Sequence, residues 1–278
     1  MTTRAELVKK IMRCSVCGED LEITQDMRSA VCQGARRHCF DFSKEGYLSL
    51  PQSCGGGDSK GAVDARRSFL DKDYYAPVAR SVSDAVAKYV SADAAVIDAG
   101  CGEGYYTSLI AKQLGGVIGF DLSKFACAAA AKRAKCEGWN NVIYSTASVF
   151  SLPVKDGAAD AVVNIFAPCA ESEYKRVLRD GGYLFVVGAG KEHLMGLKQA
   201  IYDDVYENGE RADMPRSMEH VEKIVSRHEI AVEGKDDIAA LFSMTPYYWR
   251  TSEQDKEKLT RLHRLETPIE FEINVYKK

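Results

Sequence analysis

The sequence predicts an α/β fold built on a mostly parallel sheet and preceded by a small cysteine-rich module. Three observations carry this. From residue 94 onward, short apolar runs alternate with longer amphipathic ones, the pattern of a parallel sheet covered on both faces. The first of those runs ends in the glycine-rich turn Asp98-Ala99-Gly100-Cys101-Gly102-Glu103-Gly104. Five of the nine cysteines fall within the first 54 residues.

Taken in chain order, Cys14 and Cys17 have the C-x-x-C spacing of a knuckle, and Gly18 and Gly34 fall where knuckle turns need a left-handed backbone. Cys54-Gly55-Gly56-Gly57-Asp58-Ser59 is flexible by composition, so the boundary is drawn there, with a module over 1–54 and an α/β domain over 55–278. A helical pattern opens at Ala65 and resumes from Val78 to Val90. The runs 94–99, 116–121, 141–145, 159–166 and 182–187 read as buried strands, with helices over 105–114 and 124–137. In the tail, 194–206 and 238–242 read as helices, and 225–232 and 269–276 as strands.

Composition narrows the function. A chain of 278 residues, 46% hydrophobic and 28% charged, is globular and needs no disulfide staples for its core. The net charge of −3 advertises no global positive field for nucleic acid, although a local patch would suffice. An odd cysteine count argues against a secreted disulfide framework. The opening Met-Thr-Thr-Arg-Ala-Glu lacks the apolar run of a signal peptide, and no run approaches the 18 apolar residues of a membrane span. A reducing cytoplasm with no membrane contact is the expectation.

The glycine turn follows a buried strand and opens a helix, where open parallel sheets bind ligands. A dinucleotide fingerprint would need its third glycine at Tyr105, so that reading fails. G-x-G-x-G led by Asp98 suits S-adenosylmethionine, which has no pyrophosphate to seat. Asp121 ends the next strand 21 residues after Gly100, where a carboxylate can accept both ribose hydroxyls. The cofactor-binding set is Asp98, Gly100, Gly102, Gly104, Tyr105, Tyr106, Thr107, Asp121 and Leu122, with Ser148 standing where an acid often meets the adenine.

Cys14, Cys17 and Cys32, with either His38 or Cys39, satisfy tetrahedral zinc. Four protein ligands make such a site structural, folding a segment too small for its own core. Asn164, Phe166 and Pro168 end the fourth strand and are candidates to line the target pocket. Cys169 admits two chemistries: a thiolate attacking a pyrimidine carbon, or a bystander beside a nitrogen nucleophile.

The chain resembles the bacterial 23S ribosomal RNA (guanine-N1)-methyltransferase family, RlmA/RrmA, nearly end to end. The resemblance lies in Cys14, Cys17, Cys32 and His38-x-Phe40-Asp41, in Lys44-Glu45-Gly46-Tyr47-Leu48, and in Ala65-Arg66-Arg67-x-Phe69-Leu70-Asp71. It continues through the glycine turn, Ala167-Pro168-Cys169, His193-Leu194-Met195, and Met244-Thr245-Pro246-Tyr247-x-Trp249-Arg250. It implies the Rossmann-like class I methyltransferase sheet, seven-stranded with an antiparallel last strand, behind a zinc module. It also implies methyl transfer from S-adenosylmethionine to guanine N1 in a 23S ribosomal RNA hairpin, by a homodimer. His38 aligns with the family's fourth zinc ligand. The spacing from Cys32 to His38 is longer than usual, which keeps Cys39 open. Under this reading Arg36, Arg37, Lys44, Arg66 and Arg67 are candidates for phosphate contact, Asn164 for reading a base edge, and Phe166, Tyr247 or Trp249 for stacking. The competing reading is a small-molecule methyltransferase of the same fold with a purely structural zinc module.

Overall fold

The structure, a computed structural model, describes residues 2–51, 56–209 and 211–278. Helix α1 (Arg4–Ile11) precedes a small antiparallel sheet of β1 (Leu21–Ile23), β2 (Ser29–Cys32) and β3 (Cys39–Asp41). Helices α2 (Lys60–Leu70) and α3 (Ala76–Tyr89) lead into β4 (Ala95–Ala99), α4 (Tyr105–Gln113), β5 (Gly116–Asp121), α5 (Lys124–Cys136) and β6 (Val142–Thr146). Then come β7 (Ala159–Ile165), α6 (Glu171–Val177), β8 (Leu178–Ala189), α7 (Met195–Ile201), β9 (Glu219–Glu233), α8 (Lys235–Ser243), α9 (Glu253–Thr260) and β10 (Arg264–Lys277).

The large sheet runs β6-β5-β4-β7-β8-β10-β9. Strands β4 to β8 pair in parallel, and β10 lies antiparallel to both β8 and β9. This is the predicted seven-stranded sheet with its last strand reversed. The order turns about between β4 and β7, which opens a crevice at their carboxyl ends. Strand β4 is buried at every position, because helices cover both faces and leave no reason for alternation. The outer strand β9 is far longer than the run expected over 225–232. Most of its residues face solvent, so an apolar-run reading sees only its carboxyl-terminal half. Helix α7 stops at Ile201 rather than Tyr206.

The amino-terminal segment is fastened to this sheet directly. Thr3 and Glu6 form a reciprocal capping box that starts α1, a T-x-x-E signal present in the sequence. Leu7 then packs where a side chain on Gly116 would stand, 2.4 Å from its Cδ2. Arg4 donates to the carbonyls of Val142 and Trp139. Leu48 bridges Ser145 in parallel, extending the sheet beyond β6. Leu7, Ile11, Cys32 and Phe40 therefore share one buried cluster with Ile97, Phe120 and Ile143. The boundary drawn at residues 54 and 55 lies outside the described residues. Among the described residues, no helix is long and apolar enough to cross a membrane.

Candidate cofactor cleft and metal centre

The glycine turn takes the shape its composition suggests. Gly100, Gly102 and Gly104 adopt φ of 89°, 54° and 80°, a left-handed region that side chains disfavour. Space is equally restrictive: a Cβ on Gly104 would lie 2.7 Å from the Tyr144 hydroxyl, and one on Gly100 would meet Ala167. Asp121 faces this turn. Its Oδ2 accepts from the Gly102 N–H at 3.0 Å and its Oδ1 from the Ser123 N–H at 2.7 Å. Burial raises its pKa, opposed by those two backbone donors.

Asp98 sits under the turn rather than in the cleft. It is fully buried, and its Oδ2 accepts from the Thr107 hydroxyl at 2.6 Å. Burial pushes its pKa up to about 7, with the Thr107 hydrogen bond opposing. Thr107 thus positions Asp98. Tyr105 and Tyr106 pack edge to face above them, and Leu122 and Ser148 are half-buried beside the cleft. Among the described residues, enclosed oxygens without a partner remain at Asp98 Oδ1, Glu103 Oε1 and the Tyr105 hydroxyl. A glycine cradle, a ribose-height carboxylate and unpaired enclosed polar atoms fit a nucleoside cofactor without phosphate.

The end of the glycine-rich stretch packs over the strand end that carries Asp121. Gly57 packs so closely on Ser123 that a Cβ there would lie 2.5 Å from its backbone nitrogen. The Ser123 hydroxyl donates to the Asp58 carbonyl at 2.7 Å, and Asp58 pairs with Arg66 at 2.5 Å. Arg66 consequently stands beside Gly102, and Arg67 pairs with Asp71 at 3.2 Å. Both phosphate candidates are held in ion pairs in this structure, Arg66 beside the glycine turn and Arg67 at the end of its own helix. Arg36 and Arg37 are exposed and make no ion pair among the described residues, and exposed Lys44 stands 3.8 Å from Glu45.

The target side of the cleft is built by the loop after β7. Asn164 is fully buried. Its amide donates to the Pro168 carbonyl at 3.0 Å and to the Tyr174 hydroxyl at 2.9 Å, and its oxygen accepts from Arg211 at 3.1 Å. Here the expectation of a base-edge reader is corrected: every polar atom of Asn164 holds the loop. Arg211 and Asp213, unnoticed in the sequence, complete that brace, since Asp213 accepts from the Cys169 N–H at 2.8 Å. Phe166 keeps φ of 54° and is half-exposed, and Pro168 is exposed beside it. A bulky residue in that region is strained, a condition that clusters at functional sites. Burial pushes the Cys169 thiol up to about 11, against the nearby Arg211. That shift disfavours the thiolate which attack on a pyrimidine carbon needs. Trp249 is exposed, while Tyr247 is half-buried and donates to Asn208.

The cysteine cluster closes as a cage. One ligand atom from each of Cys14, Cys17, Cys32 and His38 lies within 4.8 Å of every other. Cys17 and Cys32 sulfurs are 3.7 Å apart, and His38 Nδ1 is 3.5 Å from the sulfurs of Cys14 and Cys32. A zinc tetrahedron has edges of about 3.8 Å between sulfurs and about 3.6 Å from sulfur to nitrogen. The donor set and spacing fit that ion. Backbone N–H groups of Val16 and His38 point at the Cys14 and Cys32 sulfurs, as in the outer shell of thiolate sites. Cys39 points away on β3 and is exposed, so the geometry selects His38. Gly18 adopts the expected left-handed φ of 78°, but Gly34 does not. Gly34 is required for space instead, since a Cβ would lie 2.9 Å from Glu19 Cγ, and Arg37 takes the left-handed position at 44°.

Comparison with known proteins agrees with this geometry. A family model described as "Methyltransferase domain" matches residues 91–261. A Micromonospora griseorubida protein provisionally named a 23S rRNA (guanine-N(1)-)-methyltransferase is 29% identical over 287 residues, covering 93% of this chain and 92% of its own. The 23S rRNA (guanine(748)-N(1))-methyltransferase of Streptomyces fradiae is 30% identical over 207 residues, 70% of this chain and 69% of its own. Among solved structures, the YcgJ protein of Bacillus subtilis superposes with a TM-score of 0.50 at 15% identity, covering 72% of this chain and 97% of that one, which speaks to the fold alone. With the sheet order, the glycine cradle and these relatives together, the chain belongs to the 23S rRNA (guanine-N1)-methyltransferase family.

Proposed function

We propose that this protein transfers a methyl group from S-adenosylmethionine to N1 of a guanine in a hairpin loop of 23S ribosomal RNA. The observation that carries the reading is the extent of the likeness. The Micromonospora relative spans 93% of the chain, cysteine module included, which a small-molecule enzyme sharing only the sheet would not require. The cofactor supplies an electrophilic methyl on sulfonium. Gly100, Gly102 and Gly104 let the backbone run beneath it, and Asp121 accepts from its ribose. The loop over 166–169 forms the wall where the base arrives, with half-exposed Phe166 as its stacking face.

Cys14, Cys17, Cys32 and His38 hold a structural zinc ion that shapes the front of the molecule. Exposed Arg36, Arg37 and Lys44 lie on that front and meet RNA phosphates, so binding weakens with salt. Eight Lys and Arg against seven Asp and Glu through residue 50 is a slight excess. Placement, and doubling of the surface in a homodimer, supplies the field. A ribosomal substrate places the work in the cytoplasm. The test is methyl transfer from labelled cofactor to unmethylated 23S transcript, followed by nucleoside mass spectrometry. The expected product is 1-methylguanosine. Label in another nucleoside, or in none, rejects the reading.

A further inference from the structure

His193 lies between β8 and α7, against β10, and is 7% exposed. The backbone N–H of Glu270 donates to its Nδ1 at 3.2 Å. In a neutral imidazole that leaves the proton on Nε2. Among the described residues Nε2 has no hydrogen-bond partner, and it is not one of the fully enclosed unpaired atoms, so part of its surface is accessible. Its ring lies 6.0 Å from that of Phe166 at an interplanar angle of 29°, with the Phe271 ring edge-on at 5.6 Å. Its carbonyl accepts from Asn208 at 3.0 Å, and Asn208 accepts from Tyr247, which pins the loop. Phe166 in turn precedes Ala167, the residue that abuts Gly100. The imidazole therefore stands beside the point where the cofactor turn meets the target wall.

We propose that His193 donates a hydrogen bond from Nε2 to the carbonyl oxygen adjacent to the methylated nitrogen, O6 of guanine, while the base rests on Phe166. This rests on the guanine-N1 reading above. In the reaction N1 loses its proton to water and bonds to the methyl carbon, while the methyl–sulfur bond breaks with its electron pair passing to sulfur. Loss of the N1 proton throws negative charge onto O6. A fixed donor there strengthens as that charge builds, which favours the transition state over the bound base. His193 is not the proton acceptor. Its Nε2 already carries hydrogen, and the opposite tautomer would set an Nδ1–H against the Glu270 N–H. Burial, with Lys198 nearby, holds its pKa down to about 3, so imidazolium does not form at working pH.

The test compares wild type, His193→Phe and His193→Gln on the same 23S transcript, with S-adenosylhomocysteine affinity measured by calorimetry. Removing one such donor lowers kcat by about 100-fold, with KM for RNA and affinity for S-adenosylhomocysteine unchanged. His193→Gln, whose amide N–H reaches the same place, recovers most of that loss. The logarithm of kcat rises smoothly from pH 6 to 8 in all three proteins. Full kcat in His193→Phe, or a Gln variant as slow as the Phe variant with cofactor affinity intact, overturns the proposal. So does an acidic inflection in wild type that the variants lose, which would mark His193 as a base. Nucleoside mass spectrometry of the wild-type product reads the guanine assignment separately. A different methylated base there overturns both.

Discussion

A side chain on Gly100 would place its Cβ 2.4 Å from the Cβ of Ala167. Two loops, one after β4 and one after β7, thus touch across the point where the strand order reverses. In the proposed reaction the first would cradle the cofactor and the second line the target, so their contact would set the distance between methyl donor and acceptor.

Gly100→Ala tests that contact. The substitution combines overpacking with a left-handed backbone, a cost of about 2–4 kcal/mol. In a chain of this size that lowers Tm by about 3–7 °C. Calorimetry should also find weaker S-adenosylhomocysteine binding. An unchanged Tm with full affinity would mean that the two loops separate freely.

The metal cage is tested by stoichiometry. Atomic absorption should find one zinc per chain in wild type and in Cys39→Ser, and none in His38→Ala. Because the cage's Cys14 and Cys32 share a buried cluster with Ile97 and Phe120, chelation should lower the melting temperature of the whole chain. Zinc retained by His38→Ala but lost from Cys39→Ser would reverse the ligand assignment.

Asp98 gives the apo protein a pH dependence whose sign follows from burial. Its pKa is about 7 folded and about 3.9 unfolded. Between those values the folded state holds a proton that the unfolded state has released. The stability is therefore present below about pH 4 and is lost as pH rises through 7, by about 4 kcal/mol at most. Burial raises Asp121 and Glu103 in the same direction. Urea unfolding at pH 5 and pH 8 should show wild type weaker at pH 8, and Asp98→Asn should shrink that difference without erasing it. Equal differences in the two proteins would show that Asp98 is already ionised when buried.

Cys169→Ala should keep kcat within about threefold, since a thiol held up to about 11 supplies no nucleophile. A loss of several hundredfold, with cofactor affinity intact, would restore covalent catalysis.

Much of this was legible in the residues because it is local. Glycine conformation, the acid about one βα unit downstream and the C-x-x-C pair are properties of a few neighbouring positions, and each lands where its spacing put it. The reading weakened where a side chain's partner is remote. Asn164 looked available for a base because no periodicity or spacing marks its partners, yet Pro168 and Tyr174 take its amide and Arg211 reaches its oxygen from 47 positions away. Arg66 looked like a phosphate ligand, and its ion pair with Asp58 forms only when α2 folds over the turn.

By itself, then, the sequence determined the alternation of strands and helices from residue 94, the glycine turn, three members of the cysteine–histidine cluster and the family. Periodicity, glycine placement and ligand spacing act within a few residues and survive as patterns. Only the tertiary structure gathered His38, rather than Cys39, beside the three cysteines, turned Asn164 inward, buried Cys169 and set His193 beside Phe166. Each of these depends on which distant groups share a low-dielectric space, and that is known only once the sheet has brought them together.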